Sequence, residues 1–133
     1  MGSELLSRLL ELGHEVRALV LPGETELPQG DYELVYGDVT NKASLSTFFG
    51  NPDNPNNQDI ILIHCAGIVS ISSKFQQLVY DVNVTGTKNI VDLAIEHAVK
   101  KLVYISSVHA IPEKPVGQVI SEIYDFKPAE VIG

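Results

Sequence analysis

Two clusters of small residues, each directly behind an apolar run, are where this sequence could do chemistry. Cys65, Ala66 and Gly67 follow the run Ile60-Ile61-Leu62-Ile63-His64, and Ser106 and Ser107 follow Leu102-Val103-Tyr104-Ile105. Small residues let a flat ligand approach the backbone, and serine hydroxyls both donate and accept hydrogen bonds. Asp38, in Gly37-Asp38-Val39-Thr40, offers a carboxylate, and Asn83 heads the stretch Asn-Val-Thr-Gly-Thr-Lys-Asn. Each has a plainer reading. Asp38 can be a turn residue or helix cap, Asn83 an N-cap, the serine pair a turn, and Cys65 a small buried hydrophobe.

The elements that must position these residues are legible from periodicity. Leucines at 5, 6, 9, 10 and 12 share a helical face, and Gly13 stands where a left-handed terminator belongs, which predicts a helix over 3–12. Short apolar runs at 16–21, 33–36, 59–64 and 102–105 read as strands, and the two later ones are apolar enough to be buried on both faces. Thr40 or Asn41 caps a helix carrying Leu45, Phe48 and Phe49. The segment 51–58, with two prolines and four asparagines, reads as a mobile and dispensable loop. Helices are expected over 72–80 and 84–99, with Gly86 marking a close backbone approach. Strands alternating with helices predict a doubly wound α/β architecture around a parallel sheet, with ligands at the carboxyl ends of the strands.

Composition narrows the function. A chain of 133 residues is one domain, 1–133, with room for a core but short for an enzyme holding both a cofactor and a substrate. Its 44% hydrophobic and 20% charged residues are those of a globular protein. The formal charge of −8 repels phosphate backbones and argues against nucleic acid as a partner. No apolar run approaches a membrane span, and charges within the first twelve residues argue against a signal peptide, so a cytoplasmic location is expected. A single cysteine excludes an internal disulfide, and the four histidines show no metal-ligand spacing with it.

Taken in order, Gly-His-Glu-Val-Arg-Ala-Leu-Val, Gly-Asp-Val-Thr, His-Cys-Ala-Gly, Asn-Val-Thr-Gly-Thr-Lys-Asn and Tyr-Ile-Ser-Ser-Val resemble the extended short-chain dehydrogenase/reductase family. That family includes NAD(P)-dependent epimerases and dehydratases and dihydroflavonol-reductase-like enzymes. The resemblance covers nearly the whole chain and implies a Rossmann-like fold with NAD or NADP as cofactor. It makes Asp38 the acceptor for the adenine amino group and packs Val39 on the adenine face. It sets Cys65, Ala66 and Gly67 beside the cofactor's ribose and pyrophosphate, with Ile105 and Ser106 also in the cofactor crevice. Asn83 braces the active site from its helix, and Ser107 is the catalytic serine that hydrogen-bonds the substrate oxygen.

The sequence also departs from the family pattern. The family opens with a strand and a Gly-x-x-Gly-x-x-Gly turn that holds the pyrophosphate on a helix N-terminus. Here only Gly2, just before the first helix, matches the last glycine. The family's catalytic Tyr-x-x-x-Lys is also missing. Tyr124 and Lys127 are spaced one residue short of it and read as a surface turn. The chain therefore reads as a fragment, incomplete at the N-terminus and truncated at the C-terminus. The two strands flanking the missing one are expected to pair directly or to have the gap filled by a partner.

The function implied is an NAD(P)-dependent oxidoreductase or epimerase/dehydratase acting on a carbonyl or hydroxyl carbon of a small-molecule substrate, inactive as this fragment alone. The alternatives are a non-catalytic NAD(P)-binding or redox-sensing module, and a truncated product without an independent role. The resemblance allows a homodimer for the full-length protein. The end of the strand over 16–21, where Leu21 is neutral between Arg17 and Glu24, leaves NAD against NADP open.

Overall fold

The computed structural model describes residues 1–72, 74–112 and 114–122. The leucine-faced first segment forms helix α1, Gly2–Glu11, and the chain leaves it through Gly13 at φ +78°. A residue with a Cβ would be strained there. Strand β1, Arg17–Val20, pairs in parallel with β2, Glu33–Tyr36. Asn41 caps the next segment as expected, its side chain accepting from the Ala43 N–H at 3.2 Å. That segment is a 3₁₀ turn, Lys42–Leu45, running into one turn of α-helix, α2, Ser46–Phe49.

The expected loop over 51–58 is more ordered in character than its composition suggests. It holds a 3₁₀ turn, Pro55–Asp59, and Asn57 is only 3% exposed, its amide donating to the carbonyls of Asn51 and Pro52 at 2.9 and 3.3 Å. A buried side chain that satisfies two carbonyls is a fixing point, so the segment is not dispensable.

Strand β3, Ile61–His64, pairs in parallel with β4, Lys101–Tyr104. Between them the chain forms helix α3, Gln77–Tyr80, then a π-helical stretch, Asp81–Gly86, and helix α4, Thr87–Glu96. The helix expected from residue 72 starts only at Gln77. The Ser70 and Ser72 hydroxyls accept from the backbone N–H groups of Ser72 and Lys74, a local bonding pattern that competes with the helix. Gly86 is buried, and a Cβ on it would stand 2.7 Å from Val39 Cγ2. The close approach expected there is present.

Leu45 is fully buried at the centre of the core, with Val39, Phe49, Leu62, Ile90, Leu93 and Ala94 around it. Leu19 of β1 and Leu102 of β4 pack on its rim, so one cluster touches both strand pairs. The pairs do not join, however. The strand orders are β1-β2 and β3-β4, and β1 does not bond to β3. Between them lies an open cleft of about 1420 Å³, lined by every residue of β1 and β3 and by Leu5, Leu6 and Leu9 of α1. Direct pairing, one of the two expectations, is therefore not what the chain does: the shared core and α1 hold the two pairs apart.

Among the described residues no helix is long and apolar enough to cross a membrane, and no group of His, Cys, Asp and Glu is placed to hold a metal ion.

Candidate functional site

The register of β3 on β4 sets His64 opposite Tyr104, so the residues that follow each strand emerge side by side. Cys65 is half-buried, Ala66 and Gly67 are exposed, and Ile105, Ser106 and Ser107 are exposed beside them. The Ile105 N–H donates to the His64 carbonyl at 3.0 Å, carrying the pairing one residue past the strands. The alanine-glycine bend and the serine doublet thus form adjacent rims of one crevice at the carboxyl edge of the pair. The Ser107 carbonyl accepts from the Ala110 N–H at 3.0 Å, closing the turn that displays the doublet.

Asn83 fixes the first rim. Its Oδ1 accepts from the Ile68 N–H and its Nδ2 donates to the Ile68 carbonyl, both at 2.8 Å. Asn83 lies inside the π-helical stretch, so it is a loop clamp and not an N-cap. A Cβ on Gly67 would stand 3.2 Å from Asn83 Oδ1, so glycine lets the loop lie close to its clamp. The wider turn of a π-stretch redirects side chains relative to an α-helix, which is how a residue in mid-helix comes to face the loop.

Asp38 follows β2. Its Oδ1 accepts from the Thr40 N–H at 2.8 Å, and its own N–H donates to Ser44 Oγ at 2.9 Å. The turn reading of Asp38 therefore holds, and its second carboxylate oxygen accepts no printed hydrogen bond from a described residue. Val39 is 7% exposed and belongs to the core against Gly86. That burial removes most of the face it was expected to offer a ligand. Gly2 opens α1, and a Cβ on it would meet Cys65 Sγ at 3.5 Å. The N-terminus of α1 therefore stands beside the turn that follows β3. Tyr124 and Lys127 lie outside the described residues.

One residue near the crevice was not singled out from sequence. His64, 4% exposed, has Nε2 3.0 Å from Thr87 Oγ1 and stacks on Tyr104 with ring centroids 5.4 Å apart. Burial lowers its pKa below the usual 6.5, favouring the neutral ring. The signal was weak: a histidine ending an apolar strand reads as an edge residue until its partner on a later helix is known.

Residues 1–127 match the model of the 3-beta hydroxysteroid dehydrogenase/isomerase family. The chain belongs to that family. A Synechocystis sp. protein whose name assigns it as a dihydroflavonol 4-reductase is similar, 32% identical over 135 residues. The match takes in 100% of this chain and 37% of that protein. Among solved structures, gox2253 superposes with a TM-score of 0.78 at 28% identity, over 99% of this chain and 38% of that one. A short-chain dehydrogenase from Leptospira borgpetersenii with bound NAD+ gives 0.62 at 25% identity, over 82% of this chain and 50% of that one. The family is thus of the short-chain dehydrogenase type implied by the motifs, and the fold is the Rossmann-like α/β fold. The chain spans well under half the length of the curated relative.

Proposed function

We propose that this chain binds the dinucleotide of an NAD(P)-dependent oxidoreductase or epimerase/dehydratase acting on a carbonyl or hydroxyl carbon. The observation that carries the reading is the pairing of β3 with β4, which brings residues 65–67 and 105–107 to one crevice at the strand ends. Ligands of open α/β sheets lie there. The residues present fit such a cofactor. Asp38 has a carboxylate oxygen to accept from an adenine amino group, and the exposed small residues Ala66 and Gly67 leave room for a ribose and diphosphate. Gly2 starts a helix whose N-terminus favours an anion.

When bound, the nicotinamide accepts or supplies the hydride. In this reading the Ser107 hydroxyl orients the substrate oxygen by hydrogen bonding, and Asn83 positions the 66–68 loop against the crevice floor. His64, held neutral by burial, keeps charge away from beneath the ring site. The sequence through Gly133 contains no tyrosine four residues before a lysine, so this chain alone lacks the family's proton-transfer pair and does not turn over. The same absence favours a second reading, a non-catalytic NAD(P)-binding or redox-sensing module.

Titration of the purified chain with NADH and NADPH, followed by nicotinamide fluorescence, tests the binding claim. Saturable binding is expected, weakened about tenfold in Asp38→Ala through loss of one charge-assisted hydrogen bond. Unchanged affinity in that variant would remove Asp38 from the adenine site. Oxidation of NAD(P)H by the chain on a panel of aldehydes and ketones would contradict the absence of turnover.

A further inference from the structure

We infer that the cleft between β1 and β3 is a docking slot for one extended apolar peptide, which enters as a parallel strand and joins the two strand pairs into a single sheet. Hydrogen bonding defines the slot. The carbonyls of Val16 and Val20 accept from β2 and its flank, and those of Ile60 and His64 accept from the β4 side. In a parallel ladder successive residues point their backbone groups to opposite sides. The N–H and C=O groups of Arg17, Leu19, Ile61 and Ile63 therefore face the cleft, two residues on each wall. An unpaired edge is a template for another strand, and here two such edges flank one opening.

The direction of the occupant follows from α1. Its first residue, Gly2, stands beside Cys65 at the carboxyl end of β3, and the chain leaves its far end to begin β1. Both walls therefore run the same way, antiparallel to α1, and a strand bonding to both must run with them. Its side chains meet Leu6 and Leu9 of α1 and Phe49 and Ile90 of the core, which calls for apolar residues along its whole length. Its amino end meets acid: Glu15 and Asp59 stand just before β1 and β3, while Arg17 is already paired with Glu33 at 2.7 Å. A basic residue ahead of the apolar run complements that mouth. Its carboxyl end passes Gly2 and Cys65, where small residues are required. The occupant is thus a short peptide reading basic, then β-branched apolar, then glycine. The superposition on gox2253 over 99% of the chain shows the two strand pairs already placed as in a larger protein, so docking needs no rearrangement of either.

The test uses a fluorescent peptide, Lys-Lys-Ile-Val-Val-Ile-Gly-Gly, added to the full chain. A scrambled-order control and a version with proline at the second valine accompany it. Saturable anisotropy is expected, with slowed amide hydrogen exchange at some of Arg17, Leu19, Ile61 and Ile63, and binding about tenfold weaker for the proline peptide. Equal binding of all three peptides, no binding to a chain with protected core amides, or protection at other residues would overturn the proposal. The same segment fused ahead of Met1 gives a second reading that does not depend on the free chain being well folded. It should raise the thermal midpoint above that of a scrambled fusion, and equal midpoints would also overturn it.

Discussion

At the scale of single residues, the site depends on contacts that leave little slack. Gly86 and Val39 form one of them. Replacing glycine by alanine in a helix gains up to about 1 kcal/mol from the backbone alone. Here the added carbon would stand 2.7 Å from Val39 Cγ2 and 3.1 Å from its Cβ, and a β-branched side chain cannot swing aside. Gly86→Ala is therefore expected to destabilise by about 1–3 kcal/mol, and Val39→Ala in the same chain to recover part of that loss. Denaturant unfolding of the four-member cycle checks it, and additive effects would deny the contact.

Asn83→Ala removes both hydrogen bonds to Ile68 and should cost about 2 kcal/mol. The Ile68 amide should exchange faster while the core amides of α4 stay protected. His64 gives a pH signature. Its pKa is lowered in the folded chain, so the unfolded chain takes up the proton first as pH falls. The stability associated with the neutral ring is complete above pH 6.5 and declines as pH drops from there toward the lowered folded value, below which the difference is constant. His64→Gln should flatten stability across that window, whereas identical slopes in the two proteins would show that the ring is not desolvated.

At the scale of elements, what the sequence made legible was whatever local periodicity determines. The 33–36 strand, the Gly13 terminator and the Asn41 cap each depend on a few adjacent residues, and the structure has all three. The errors share a cause. Serines at 70 and 72 divert the backbone from the helix expected at 72, and Asn57 turns a loop-like composition into a pinned turn through bonds five and six residues back. Composition carries no record of which side chain will bond which backbone group. Asn57→Ala should therefore cost about 1–2 kcal/mol, measurable by urea unfolding, where a truly dispensable loop would show no change.

The candidate site was legible for a different reason. Strands that end in small or hydroxyl residues mark a crevice wherever they lie side by side, and that side-by-side placement is what the β3–β4 register supplies. His64 stayed hidden because its partners, Thr87 and Tyr104, are distant in sequence. The π-helical stretch that aims Asn83 was hidden too, since a one-residue widening of a helix leaves the apolar stripe nearly unchanged.

At the scale of the whole molecule, the chain is two parallel strand pairs sharing one core, with family membership over residues 1–127 and a crevice at the ends of β3 and β4. The most direct test is an amide-resolved nuclear magnetic resonance titration of the chain with NAD+. Chemical-shift changes should concentrate at Asp38, at residues 65–68 and at residues 105–107, and should fade in Asp38→Ala. Changes confined to the face around Lys42 and His97, or none at millimolar cofactor in a chain with dispersed amide resonances, would contradict the cofactor crevice.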